Sequence, residues 1–341
     1  MIYRYSYFSL SDRFAKPMTH LSKIISLESL FLCLLIVGIS QNVQAESHSN
    51  GTPVALNGVT QYDFKTDRLD VPLKVYVLKP SGYDPTLTYP VLYSFDADLS
   101  LGFMSIMSDK VARLSMRANR RPPIVVTIGY DNVQMALKRR IFDLTPHADT
   151  YNLPMRPNGQ PWPKMGGGDN FLDILIEEIK PFVEKRYKID TTAETLFGHS
   201  LGGLLTLHAI FTKTEHFDRF AASSPSLWFN PQATMHKLIA FHKDTTQTGT
   251  TQKIPLRLTI GGNEETLTDW TLQYSKNSDL RKKWLQKNKM VQNARALYQA
   301  LSEQDGKIQI EFETYGGLEH ILADAPAFFR ALQFATTDGS P

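Results

Sequence analysis

The stretch Thr195-Leu196-Phe197-Gly198-His199-Ser200-Leu201-Gly202-Gly203-Leu204-Leu205 runs from an apolar, strand-like segment into a helix-like one, with G-x-S-x-G at the join. Glycines flanking the serine permit a sharp strand-to-helix turn that lifts the hydroxyl off the end of a strand, and the helix after it aims its first free amides at developing negative charge. Ser200 is therefore the candidate nucleophile and the Leu201 N–H a candidate oxyanion donor. The bland alternative is a serine in a glycine-rich turn.

Working outward, short apolar runs alternate with helical patterns. Segments 54–64 and 71–78 alternate in polarity and are separated from the next apolar run by Pro80-Ser81-Gly82-Tyr83-Asp84-Pro85, which suits an antiparallel hairpin or edge. Runs 90–95 and 123–128 suit strands covered on both faces. Residues 170–187 carry Phe171, Leu172, Leu175, Ile176, Ile179, Phe182 and Val183 at helical spacing, with Pro181 as a kink point. Strand-like segments 194–197, 220–223, 256–260 and 308–314 then alternate with helix-like segments 201–212, 231–241, 288–302 and 320–334. This order predicts an α/β fold: a mostly parallel central sheet with helices on both faces and an antiparallel N-terminal edge.

A serine hydroxyl needs a base, and in hydrolases with this elbow an acid and then a histidine come after it in the chain. Of the histidines after Ser200, only His320 lies beyond the last expected strand, on the glycine-containing loop Gly316-Gly317-Leu318-Glu319. For the acid, the loop after strand 256–260 reads Gly261-Gly262-Asn263-Glu264-Glu265. Glu265 is the first choice, three residues past Gly262, with Glu264 and Asp269 as alternatives. The second oxyanion donor is expected from Phe95-Asp96-Ala97-Asp98, at the Ala97 or Asp98 amide. No metal or organic cofactor is called for.

The first 45 residues differ from the rest. Arg13, Lys16 and Lys23 precede an apolar run from Leu30 to Ile39, and Val43-Gln44-Ala45 comes after it. That is the pattern of an export signal cleaved after Ala45, with the run too short for a comfortable membrane span. The expected organisation is thus a signal at 1–45, starting at Met1 or at Met18, and one catalytic domain at 46–341, destined for the periplasm or the exterior. Cys33, the single cysteine, lies inside that run, so the exported chain would lack thiolate nucleophiles and zinc–thiolate sites. It would carry 33 basic against 32 acidic residues, a net of +1 that argues against a nucleic-acid partner.

Several segments together resemble the esterase branch of the α/β-hydrolases that includes the enterochelin, salmochelin and bacillibactin esterases. They are Tyr89-Pro90-Val91-Leu92-Tyr93 leading to Asp96, Arg140-Ile141-Phe142-Asp143-Leu144-Thr145-Pro146, Gly166 to Phe171, Phe197 to Gly203, and Ser224-Pro225-Ser226-Leu227-Trp228. The resemblance implies hydrolysis of ester bonds in a catecholate trilactone siderophore, a small-molecule partner in ferric or iron-free form. It also implies that Arg139 or Arg140 helps to hold the anionic catecholates, with Trp228 at the substrate. The chain departs from the family where Ala97 comes after Asp96 in place of a glycine.

One further segment bears on substrate. Lys276, Arg281, Lys282, Lys283, Lys287 and Lys289 are interleaved with Trp270, Tyr274 and Trp284, with Asp279 the one counter-charge among them. This is either a cationic, aromatic lid for an anionic aryl ligand or a solvated helix face. Two rivals to the siderophore reading are a general exported carboxylesterase and a non-catalytic binding protein that keeps the hydrolase fold.

Overall fold

The computed structural model describes residues 54–338, except 157, 245–252, 275–276 and 304. The expected signal at 1–45 and Lys276 lie outside the described residues, as do the side chains of Trp270 and Tyr274.

Eight strands form one sheet. In chain order they are β1 (Val59–Phe64), β2 (Leu73–Leu78), β3 (Tyr89–Ser94), β5 (Ile124–Gly129), β6 (Ile189–His199), β7 (Arg219–Ser223), β8 (Ile254–Gly261) and β9 (Ile308–Tyr315). Their spatial order is β1-β2-β5-β3-β6-β7-β8-β9; a small second sheet pairs β4 (Arg120–Arg121) with β10 (Thr337–Asp338). The β1/β2 and β2/β5 pairs are antiparallel and the remaining pairs of the large sheet are parallel, the arrangement that the sequence predicts.

Side-chain alternation along the central strands feeds two cores. Val91, Tyr93, Ile124, Val126, Ile128 and Leu196 point to one face, where the helical run 168–184, α5 (Leu201–Thr212), α6 (Ala233–Lys243) and α9 (Met290–Ser302) pack. Leu92, Val125, Phe197 and Ala221 point to the other, beneath α1 (Ala97–Arg117) and α10 (Asp324–Ala335). Burial on both faces explains why these strands are continuously apolar.

Two helical regions differ from expectation. Helix α1 is not anticipated by an apolar stripe, because Ser100, Ser108 and Ser115 occupy buried positions and blur it. The segment around Pro181 does not simply kink: α3 (Gly168–Ile174) passes through a π-helical turn at Leu175–Ile179 into α4 (Lys180–Glu184). Proline lacks an N–H and crowds the preceding turn, and a widened turn just before it relieves both problems. Between β5 and α3 lies α2 (Val133–Asp143), capped by the Asn132 side chain, which accepts the Met135 N–H at 3.0 Å. Between β8 and α9 lie α7 (Asp269–Tyr274) and α8 (Ser278–Asn288). Among the described residues, no helix is long and apolar enough to cross a membrane.

Candidate active site

Ser200 stands at the join of β6 and α5 with φ 61° and ψ −116°, a conformation that a non-glycine residue adopts only when its surroundings enforce it. The enforcement is visible. The Ser200 N–H donates to the Ser223 carbonyl at 2.9 Å, and the Ser200 carbonyl accepts from the Ser226 N–H at 3.0 Å. A Cβ on Gly198 would sit 2.2 Å from the Gly202 carbonyl carbon and oxygen, so the turn closes this tightly only with glycine there.

The half-buried Ser200 hydroxyl meets its base directly. Ser200 Oγ lies 2.9 Å from His320 Nε2, and His320 Nδ1 lies 2.6 Å from Glu264 Oε2. His320 begins a 3-10 turn, His320–Ala323, at the end of the loop after β9. That loop is stitched to the acid-bearing loop: the Asn263 N–H donates to the Leu318 carbonyl at 2.9 Å, and the Gly262 N–H to the Tyr315 carbonyl at 2.8 Å. Glu319 adds a second seam, accepting the Thr268 N–H at 3.2 Å and hydrogen bonds from the Thr268 and Thr271 hydroxyls.

The expectation for the acid needs correction. Glu265 accepts the Gln292 N–H and side-chain Nε2, each at 2.8 Å, and so caps the first turn of α9 instead of facing the imidazole. Glu264, 2% exposed, turns inward because residues 261–264 form a tight turn that folds its side chain back over Gly261. The Gly261 N–H donates to Glu264 Oε1 at 2.8 Å, and the Ser224 hydroxyl donates to the same oxygen. Asp269 lies exposed in the first turn of α7. The residue that reaches back is three past Gly261, not three past Gly262.

Behind the catalytic pair, the His199 ring stacks on His320 with centroids 4.7 Å apart, and its Nδ1 is 3.0 Å from Ser223 Oγ. Burial above all, with the Arg140 guanidinium nearby, holds the His199 pKa well below the ordinary imidazole value, so this ring stays neutral. Ser223, Ser224 and Glu319 carry no motif of their own. Only the segment Ser224-Pro225-Ser226-Leu227-Trp228 marks this neighbourhood in the sequence.

Leu201 and Ala97 occupy the first positions of α5 and α1, where backbone N–H groups lack a helical acceptor. Asp96, at φ 61°, precedes Ala97, and the Phe95–Asp96 turn packs on the elbow: a Cβ on Gly202 would lie 3.4 Å from Phe95 Cδ2 and 3.7 Å from Asp96 Oδ2. The Asp98 carboxylate accepts the Tyr130 N–H at 2.8 Å and so tethers the start of α1 to the end of β5.

The two arginines expected at the substrate are occupied by carboxylates. Arg140 makes a two-pronged contact with Asp96, with Nε–Oδ1 and Nη2–Oδ2 both 2.9 Å. Arg139 binds both oxygens of Asp143 at 3.0 Å and Asp70 at 2.7 Å. Planar guanidiniums engaged in this way brace the loop below Ala97 and α2. Neither lines the cleft at the serine.

That cleft has a volume of about 260 Å3 and is walled by Ser226, Trp228, Arg281, Trp284, Met290 and Ile321 around Ser200 and His320. Trp228 lines this cleft, and Arg281 is the arginine at its wall. Helix α8 carries part of the basic segment to the cleft. Its Arg281, Trp284, Leu285 and Asn288 line the cleft, and Arg281, Lys282 and Lys283 are all exposed to solvent. Trp228 and Trp284 meet edge to face at 5.3 Å, and Trp162 packs on both at 5.9 and 6.1 Å. Among the described residues, no cluster of three or more His, Cys, Asp or Glu side chains could hold a metal ion.

Comparison with known proteins agrees with this geometry. Residues 66–300 match the family described as "Putative esterase". The chain is 32% identical over 270 residues to the ferri-bacillibactin esterase BesA of Bacillus subtilis, covering 78% of this chain and 86% of the relative. It is 30% identical over 272 residues to the siderophore triacetylfusarinine C esterase of Aspergillus fumigatus, covering 77% and 88%. Among solved structures, the siderophore hydrolase EstA from Aspergillus nidulans superposes with a TM-score of 0.70 at 26% identity, covering 84% of this chain and 98% of that one. With that family model spanning most of the chain and an esterase 32% identical to it over 86% of the relative's length, the chain belongs to the esterase family of α/β-hydrolases.

Proposed function

We propose that this protein is an exported serine esterase that opens the ester bonds of a trilactone siderophore. The observation that carries the chemistry is the continuous relay Ser200–His320–Glu264, with contacts of 2.9 and 2.6 Å. His320 takes the Ser200 proton as the hydroxyl attacks an ester carbonyl. It then returns that proton to the leaving alkoxide, and a water repeats the sequence to release the acid. Glu264, held by Gly261 and Ser224, fixes the imidazole tautomer and offsets the charge that His320 gains. The Leu201 and Ala97 amides form the oxyanion hole, each worth about 3 kcal/mol in the transition state.

Three supports narrow the substrate. The similar relatives are named as siderophore esterases, the cleft offers the faces and edges of Trp228 and Trp284 to an aryl group, and Arg281 supplies a cation at its wall. The N-terminal pattern at 1–45 supports a periplasmic or secreted site of action.

The test is chromatography of products after incubating the purified protein with ferric and iron-free tricatecholate trilactone, with Ser200→Ala as the control. A linear trimer or smaller acids released by the wild type alone is the expected result. Turnover of p-nitrophenyl acetate without any trilactone product would instead assign a general carboxylesterase.

A further inference from the structure

Asn288, the last residue of α8, is 3% exposed, and its side-chain Oδ1 is buried without a hydrogen-bond partner among the described residues. A buried acceptor left in this state is costly and calls for a donor. The amides around it are committed elsewhere: Asn293 Nδ2 donates to the Asn288 backbone carbonyl at 3.0 Å, and Gln232 Nε2 donates to Asn293 Oδ1 at 2.8 Å.

Asn288 stands between two hollows. One is the cleft over Ser200. The other, about 380 Å3, lies across Trp228 and is lined by Asn152, Pro231, Gln232, Lys287, Lys289 and Asn293. Trp228 and Asn288 line both, so the two spaces share a wall. That wall is fixed in place by the packing of Trp162 and Trp284 on Trp228. Among the described residues no carboxylate lines the second hollow, and Lys287 and Lys289 are exposed at its edge. Lys289, at φ 48°, is the left-handed joint between α8 and α9.

We propose that this second hollow is a binding subsite for a part of the substrate that does not react. It is built for an anionic aryl amide arm: an N–H or phenolic O–H donating to Asn288 Oδ1, anionic oxygens set against Lys287 and Lys289, and the ring along Trp228. Because Oδ1 itself is buried, this contact requires the Asn288 amide to rotate toward the hollow as the arm binds. The inference rests on the Ser200 cleft being the ester site and extends it, since an ester with a second arm gains contacts that a single-armed ester lacks. Such contacts away from the reacting bond act first on substrate binding.

The experiment compares Asn288→Leu and the Lys287→Met/Lys289→Met double variant with wild type in two assays. The first is the ratio of kcat/KM on iron-free tricatecholate trilactone to that on p-nitrophenyl acetate. The second is the Kd of 2,3-dihydroxybenzoylglycine, measured by tryptophan fluorescence in a Ser200→Ala background. The ratio is expected to fall at least tenfold, through KM, and the Kd to rise by a similar factor. The double lysine variant alters exposed positions and so remains folded if Asn288→Leu does not. An unchanged Kd, or no binding by the parent protein, overturns the subsite. If wild type cleaves p-nitrophenyl acetate but not the trilactone, the siderophore reading fails while the binding assay still decides the subsite.

Discussion

The side chains of Glu264 and Glu265 diverge from adjacent positions: Glu264 Oε2 comes within 2.6 Å of His320 Nδ1, while Glu265 reaches away to cap the first turn of α9 at Gln292. The two carboxylates therefore serve different ends, one electrostatic at the site and one structural at a helix terminus. Replacing Glu264 by Gln should lower kcat on p-nitrophenyl acetate by about 10^3 to 10^4-fold, because the imidazole loses its tautomer lock and its counter-charge. Glu265→Ala should instead cost about 1 kcal/mol of stability through the lost cap, with kcat within about threefold of wild type. Steady-state kinetics and thermal melts of both variants decide the assignment; a large loss of kcat at Glu265 with Glu264→Gln active would reverse it.

How much of this was legible in the sequence depends on where the information resides. The elbow and the parallel sheet were readable because G-x-S-x-G and continuous apolar strands are local patterns, and His320 because it alone lay beyond the final strand. The acid was placed on the correct loop but one residue late, since hydrophobic periodicity says nothing about which side chain a tight turn folds back over Gly261. Arg140, and Arg139 in part, were unreadable for a related reason. Asp96, the partner of Arg140, and Asp70, a second partner of Arg139, lie far off in sequence, so a charge that looks free along the chain is neutralised in space; the Arg139–Asp143 pair, one helical turn apart, was readable and was missed. Helix α1 escaped because its buried face contains serines.

The elbow makes a steric prediction with an internal control. A methyl group on Gly198 would meet the Gly202 carbonyl at 2.2 Å, with backbone on both sides of the contact and nothing able to give. On Gly202 it would meet a ring carbon of Phe95 at 3.4 Å, an ordinary contact. Gly198→Ala should fail to yield soluble, active protein. Gly202→Ala should fold with a loss of about 1 kcal/mol or less, the crowding being offset by alanine's better helix propensity. Expression yield and circular dichroism of the two variants check the order, and a stable, active Gly198→Ala protein would refute this reading of the turn.

Arg140 and Asp96 are 17% and 13% exposed at the side chain, and each supplies the other's charge compensation. Removing the cation alone, as in Arg140→Met, should destabilise the protein by about 3 to 5 kcal/mol by leaving a poorly solvated carboxylate under the Ala97 loop. Adding Asp96→Asn should recover part of that loss, with a coupling of about 1 to 3 kcal/mol in a double-mutant cycle monitored by urea unfolding. Strictly additive effects would mean that the two-pronged contact contributes nothing.

His199 gives stability a dependence on acid. Its folded pKa is depressed well below 6.5 by burial, so below that pH the unfolded chain takes up a proton that the native ring refuses. Its contribution is intact above about 6.5 and is lost as pH falls, at up to about 1.4 kcal/mol per pH unit until the native ring itself protonates. His199→Phe preserves a ring over His320 and removes this proton. The urea midpoint of wild type should therefore drop more steeply than that of His199→Phe between pH 7.5 and 5.0; parallel curves would show that His199 accepts a proton in the fold.

Asp324 supplies a limb of the opposite sign. Burial pushes its carboxyl from 3.8 up to about 6, and repulsion from Asp96 adds to this, while the Ser100 hydroxyl at 3.1 Å and the charges of His320 and Arg140 pull the other way. Its Oδ1 has no hydrogen-bond partner among the described residues. A raised carboxyl favours the protonated native state, so its contribution is full below about 3.8 and disappears as pH climbs through about 6, a swing of at most about 2 to 3 kcal/mol. Asp324→Asn cannot ionise and should gain on wild type across that window: near parity at pH 4.5 and a higher Tm by pH 7.5. Calorimetry in matched buffers measures the difference directly. If the variant's advantage shrank as the pH was raised, the carboxylate would have to be stabilised by Arg140 and His320 more strongly than burial and Asp96 oppose it, and the charge balance under the elbow would have to be redrawn.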